Sequence, residues 1–467
     1  MHMAVTDHGP VTKRPEAASS GLDRFFKISE RGSSVRTEVV AGFTTWLTMA
    51  YILFVNPSIL GLEGAGLAFP AVLTATALCA GVMTIAMGVI ARYPFALAAG
   101  LGLNAFVAFS LVGAGGLTFP QAMGVIVIEG ALITVLVLTN LREMVMNAIP
   151  MDLKRAIGIG IGAFITLIGL VTGGVVTSDG PTPLAFTPDL TSWPVGTFVV
   201  GLVLAAALVA RKVKGALLIS IVASTVMAII VNEATDGQYW TNGIASVPSD
   251  VFATPDFSIV GDVSFRFFGV LGTATALAAI ITVGLSDFFD TMGTAIGLGG
   301  EAKALDAEGR LPGIKRVLLV DSVAAMAGGF TSSSSNTTYI ESASGISEGG
   351  RTGLVAVVTG VLFLLSMFFS PIAGVIPPEA TGPVLVIVGY FMMTMARDIE
   401  WSDPGIGIPA LLTVFTMPFT YSITNGVGVG FLAYIAIAAL RGRAADVHPA
   451  LWVVGAIFVW YFAHGTI

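Results

Sequence analysis

Between two long apolar segments the chain reads GGFTSSSSNTTYIESASG, from Gly328 to Gly345, with seven hydroxyl residues and Asn336 packed between Thr331 and Thr338. In a chain that is 55% hydrophobic and 11% charged, this is where lipid forbids exposed polar backbone. Each unsatisfied peptide group in hydrocarbon costs several kcal/mol, so the stretch has to line a cavity inside protein. At about 3.3 Å per residue, five extended residues cover roughly half of a hydrocarbon core. A helix starting near Thr337 would then begin near the midplane. Its first turn would offer free N–H groups and the positive end of its dipole to a ligand, with Glu341 just inside. Transporters build sites in this way.

The charged fraction lies far below the ~25% typical of soluble domains, which sets soluble classes aside. The net charge of −7 says little, because the placement of Lys and Arg matters more than their sum. Cys79 is the single cysteine, so neither an intrachain disulfide nor a thiolate cluster can form. His2, His8, His448 and His464 all lie near the termini, which leaves the interior without imidazole for a zinc site or a hydrolytic triad. The expectation is a protein that is not an enzyme, with no metal, no cofactor and no nucleic-acid partner.

Residues 1–35 are polar and basic, without an apolar core of signal-peptide length, and read as a cytoplasmic tail. Seven apolar spans follow, at 38–60, 69–91, 94–112, 119–139, 155–176, 195–210 and 215–231. After a polar break come seven more, at 267–298, 314–330, 331–346, 352–372, 382–396, 406–421 and 426–440, and a short apolar stretch at 451–463 whose status stays open. With the N-terminus inside, all but Arg266 of the 22 Lys and Arg residues fall on the cytoplasmic side, as the positive-inside rule requires. Arg142–Pro150 reads as an amphipathic surface helix. Gly158, Gly160 and Gly162 read as close helix packing, since no strand–turn–helix unit accompanies them.

An odd number of spans per half forces the second copy into the opposite orientation, so the pattern predicts a 7+7 inverted repeat. The third member of each half starts with small residues after a Gly or Pro break and carries one polar side chain early in its helix: Asn104 in the first, Glu341 in the second. Four more acidic residues lie within spans, at an insertion cost of about 2.5–3.5 kcal/mol each. Asp287 and Asp290, in SDFFDTMGTAIGL, share one helix side by their spacing, with Thr294 a turn beyond Asp290; Asp290 is favoured for the cavity. That position calls for a span that starts nearer Thr273 than Phe267, or one that is strongly tilted. Glu129 and Asp321 are single charges on apolar helices and read as interhelical structure.

The strings ALAAGLGLNAF, SDFFDTMGTAIGL, SSSNTTYIESASGI and GFTTWLTMAYILFVNP resemble the azaguanine-resistance branch of purine permeases within the xanthine/uracil permease superfamily. The resemblance runs from about Phe25 to Leu440. It implies an all-α polytopic membrane protein of about fourteen transmembrane helices, with short antiparallel strands and half-helices in spans 3 and 10. The implied core domain comprises residues 36–140 and 266–371, and the gate domain 141–232 and 372–443. An external loop covers 233–265 and a C-terminal tail 444–467. Carried over by motif are Asp290, Glu341 and Asn104; the expected mechanism takes Glu341, Asp290, Asn104, Thr338, Ile340 and Thr294 as substrate-binding positions and Asp290, Glu341 and Asp287 as proton-coupling positions. Thr294 stands where the uracil branch has a histidine, which removes any proton route through imidazole. Phe106, Phe288 and Phe289 are expected to offer aromatic surface to a flat base. The expected activity is proton-coupled purine uptake by alternating access across the cytoplasmic membrane, with the lipid bilayer as partner and a homodimer left open. A small-anion channel or facilitator of the same fold is the alternative, and a membrane-embedded enzyme using Asp287 and Asp290 a more distant one.

Overall fold

The computed structural model describes residues 21–61, 67–139, 149–177, 184–241, 243–306 and 310–464. Residues 1–20, most of the proposed surface helix at 142–150 and the Phe289 side chain lie outside the described residues. Among the described residues, ten helices are long and apolar enough to cross a membrane. Apolar runs of about 20 residues produce them, because a helix rises 1.5 Å per residue and hydrocarbon is ~30 Å thick. Ile314–Thr331 is equally long but carries Lys315, Arg316 and Asp321. Leu101–Ala114, Pro404–Thr420 and Pro449–Ala463 are shorter apolar helices.

Several spans are interrupted where the sequence breaks helix geometry. The first divides into Val35–Met49 and Ile52–Leu60. Phe69–Ala86 widens into a π-helical turn, Met87–Ala91, and ends at Arg92 with a left-handed φ of 61°. Phe268–Glu301 is kinked at Gly272, whose φ of 72° and ψ of 163° are open to glycine. Regular helix resumes at Thr273, one of the two arrangements the sequence reading allows.

The polar stretch departs from the helix the apolar pattern suggested and agrees with the strand pair the resemblance implied. Instead of a helix from Thr337, Asn336–Thr338 is a strand paired antiparallel with Leu97–Ala99, in the register Leu97↔Thr338, Ala98↔Thr337 and Ala99↔Asn336. The helix waits until Ser342–Ser347. The β-branched Thr337 and Thr338 favour extended backbone, and pairing with the other strand satisfies peptide groups that a lone extended segment would leave bare.

Two sets of helices pack around this ladder. In one, Val35–Met49 and Phe69–Ala86 pack on Gly353–Ser366, while Phe119–Leu138 packs on Ile314–Thr331 and Phe268–Glu301. In the other, Met151–Thr172 lies against Pro378–Met393 and Pro404–Thr420, Pro404–Thr420 against Ile423–Leu440, and Trp193–Ala210 against Ala216–Ala234 and Pro378–Met393. Glycines set the approach. A methyl group at Gly162 would meet the Gly389 carbonyl at 2.9 Å, and one at Gly169 the Gly382 carbonyl at 2.7 Å. The run at 158–162 is therefore a packing surface. The stretch at 451–463 is helical within Pro449–His464 and packs on both Phe268–Glu301 and Ile423–Leu440. Tyr461 Oη donates to Asn425 Oδ1 at 2.7 Å.

Candidate functional site

The two-stranded ladder is tied at both ends. Gly100 N–H donates to the Ser335 carbonyl and Tyr339 N–H to the Ala96 carbonyl, each at 2.9 Å. Side chains then anchor the pair to its surroundings. Thr84 Oγ1 accepts from Leu97 N–H at 2.9 Å and donates to the Leu97 carbonyl at 3.0 Å. Ser342 Oγ accepts from Ala96 N–H at 2.9 Å, and Tyr339 Oη donates to the Ala99 carbonyl.

Glu341 follows the second strand after Tyr339 and Ile340 and caps Ser342–Ser347 by position. It is half-buried, and its Oε1 accepts a 2.7 Å hydrogen bond from Tyr51 Oη. Tyr51 sits at the break in the first span and is fully buried. Asp290 lies on Phe268–Glu301 with its side chain exposed, within electrostatic reach of Glu341. Thr294, one turn on, is half-buried, and Ile340, beside Glu341, is 51% exposed. Asp290, Glu341 and Ile340 are thus open, although each neighbours wholly buried residues. The half-helices are short, five residues in Leu101–Ala105 before a π-helical continuation to Ala114, and six in Ser342–Ser347. The carboxylates, more than helix dipoles, therefore define this site.

Five of the expected residues are buried: Asp287, Thr338, Phe288, Phe106 and Asn104. Asp287 and Asp290 lie on one helix side but about 60° apart around the axis, which is enough to separate their surroundings. Asp287 is within electrostatic reach of Glu129 and Asp321. Thr338 is 1% exposed, and both its donors are taken: N–H and Oγ1 donate to Asp321 Oδ1 at 2.9 and 2.7 Å. These bonds tie the strand to Ile314–Thr331. Phe288 packs with Ile133, Val137, Met292 and Leu318 in a closed apolar cluster, because it occupies the helix face turned toward Phe119–Leu138. Phe106 is likewise part of the core. Asn104 is fully buried, and neither amide atom has a hydrogen-bond partner among the described residues.

Asp321 acts as the interhelical clamp the sequence suggested. Besides the two bonds from Thr338, its Oδ2 accepts from Thr291 Oγ1 at 2.6 Å, and Thr291 Oγ1 also lies 2.7 Å from Thr337 Oγ1. Sequence reasoning missed Tyr51, Thr84 and Thr291. Each is an ordinary residue within a span, and only the packed neighbours reveal its role. No group of three or more His, Cys, Asp or Glu side chains is placed to hold a metal ion among the described residues.

A polytopic helical chain that encloses a polar two-stranded ladder beside the half-buried Glu341 and the exposed Asp290 has the build of a membrane transporter, and its family and relatives make it a transporter, not an enzyme. A permease family model matches residues 36–438, and the chain belongs to that family, the xanthine/uracil permeases. It is 40% identical over 440 residues to the adenine permease AdeQ of Escherichia coli, covering 94% of this chain and 96% of that one. It is 38% identical over 450 residues to the guanine/hypoxanthine permease PbuG of Bacillus subtilis, covering 94% and 99% respectively. The solved transmembrane domain of the cyanobacterial bicarbonate transporter BicA shares its fold, with a TM-score of 0.58 at 13% identity over 86% of this chain and 97% of that one.

Proposed function

We propose that the protein takes up purine nucleobases, namely guanine, hypoxanthine or adenine, together with protons across the cytoplasmic membrane by alternating access. The observation that carries this reading is Glu341, set at the end of the strand ladder, fixed by Tyr51 and faced by the exposed Asp290. A purine presents ring N–H groups on its edge and apolar faces above and below. Glu341 accepts from the edge, Asp290 takes a second donor or the coupling proton, and Ile340 supplies apolar contact. The names of the relatives, adenine permease and guanine/hypoxanthine permease, agree with this cargo.

The packing supports a fourteen-span inverted repeat with core and gate domains. Numbering the spans in order, span 4 packs on span 9 and span 11 on span 2; span 13 packs on span 14 and span 6 on span 7; span 5 packs on span 13 and span 12 on span 6. Each pairing has its counterpart seven spans away, as a two-fold relation between halves requires. Spans 1–4 with 8–11 form the core domain that carries the ladder, and spans 5–7 with 12–14 the gate domain it moves against, with the N-terminus cytoplasmic. Two carboxylates at the open face disfavour the small-anion reading.

Proteoliposomes test the proposal through uptake of labelled guanine, hypoxanthine and adenine, with and without an inward proton gradient, in wild type, Glu341→Gln and Asp290→Asn. Gradient-driven accumulation that disappears in both variants is the expected result. Wild-type vesicles that accumulate none of the three bases would overturn the cargo, and normal uptake by both variants would overturn the site.

A further inference from the structure

Three helices packed on one another carry one buried carboxylate each: Glu129 on Phe119–Leu138, Asp287 on Phe268–Glu301 and Asp321 on Ile314–Thr331. They are 0%, 1% and 3% exposed. Asp287 is within electrostatic reach of Glu129, Asp321 and, on its own helix, Asp290; Glu129 is within reach of Asp321, and Asp321 of Asp290. No Lys, Arg or His is paired with them among the described residues. Their hydrogen bonding is uneven. Asp321 accepts three hydrogen bonds from Thr338 and Thr291. Neither oxygen of Asp287 has a well-formed hydrogen bond, with the Thr337 hydroxyl as its nearest donor, Glu129 Oε1 has none, and Glu129 Oε2 accepts only a long 3.5 Å bond from Ser335 Oγ. Glu129 also lies against Gly284, one turn before Asp287, where a methyl group would meet its Cγ at 3.6 Å.

A buried carboxylate without donors or a cation is strongly disfavoured in its charged form. A proton bound between two of them removes a charge and supplies the missing donor together. Resting on the proton-coupled reading above, we infer that Glu129 and Asp287 hold the coupling proton between them, apart from the substrate-binding pair Glu341 and Asp290. The proton arrives from the external water, adds to one carboxylate oxygen of this pair and leaves to the cytoplasm; no other bond changes. Asp321 transmits its presence. Charge appearing on Glu129 and Asp287 repels the Asp321 carboxylate, which grips Thr338 on the strand leading into Glu341 and Thr291, the residue after Asp290. Proton occupancy of the buried pair thus sets the geometry of the substrate site.

The test separates coupling from transport. Wild type, Glu129→Gln, Glu129→Asp and Asp287→Asn are reconstituted, and two rates are read for the preferred labelled purine: exchange against internal unlabelled purine, and accumulation driven by a pH difference of one unit. One proton per base allows up to about tenfold accumulation under that gradient. Glu129→Gln and Asp287→Asn should accumulate to equality only, while exchange falls far less, and Glu129→Asp should restore part of the accumulation. Accumulation like wild type in both neutral variants overturns the inference, as does parallel loss of exchange and accumulation in a folded variant. If one neutral variant does not fold, the other is read alone. A wild type that exchanges purine but ignores the gradient overturns the proton-coupled reading itself, which separates the two failures.

Discussion

Removing the Asp321 carboxylate should expose how the ladder is held. In Asp321→Ala three donors lose their acceptor: Thr338 N–H, Thr338 Oγ1 and Thr291 Oγ1. Thr291 can turn to Thr337 Oγ1, already 2.7 Å away. The two on Thr338 have no such alternative in the bonds the structure shows, and its peptide N–H cannot rotate. At about 1–3 kcal/mol for each buried donor left unsatisfied, the loss is about 2–6 kcal/mol, and the void adds to it. An opposing term exists, since the substitution also lifts repulsion from Glu129 and Asp287. Asp321→Asn isolates the two effects: it removes the same charge, yet its carbonyl still accepts from Thr338 and its amide donates to Thr291. The single Cys79 provides the assay, being 2% exposed in the fold and reactive toward a thiol-specific dye when the protein opens. In detergent-solubilised protein, thermal opening should come at a clearly lower temperature for Asp321→Ala than for Asp321→Asn. An alanine variant that opens with or above the asparagine variant would refute the donor argument.

Two further substitutions probe the site and a loop. Tyr51→Phe deletes the 2.7 Å hydrogen bond to Glu341; a bond to a charged group is worth about 1.5–3 kcal/mol, so KM for the base should rise about tenfold or more, and an unchanged KM would remove Tyr51 from the site. At the start of Pro404–Thr420, Asp403 accepts from Gly405 N–H and from Arg441, which hold its carboxyl below the usual range. A depressed value contributes stability at neutral pH that is lost as pH falls through it. Asp403→Asn should therefore lower the opening temperature at pH 7, with the gap to wild type closing as the pH drops below about 4; a gap that persists in acid would count against this cap.

The spans were legible because each is a long apolar run, and hydrocarbon admits few other solutions. Asp290 and Glu341 were legible for the same reason, since a carboxylate in such a run stands out. The strand pairing was not readable from local pattern: Leu97–Ala99 is three small apolar residues without alternation, and only its partner makes it a strand. Resemblance to the family supplied that expectation, while the apolar pattern suggested a helix from Thr337. Facing direction was equally hidden. The spacing of Asp287 and Asp290 fits one helix side, yet about 60° of rotation sends one toward Glu129 and the other into the open. Thr338 entered as a contact in the expected mechanism, and nothing in local sequence showed that its donors are engaged by Asp321.

The bond from Tyr339 to the Ala99 carbonyl joins residues 240 positions apart. During synthesis the Leu97–Ala99 segment is made long before Asn336–Thr338, and its outward peptide groups have no strand to meet until most of the second half has been inserted. Closure of so long a loop must precede any reward from the contact. The first half made alone would carry a bare strand edge at membrane depth, a natural target for quality-control proteases or for the matching edge of another chain. Assembly of the binding site would thus coincide with completion of the fold.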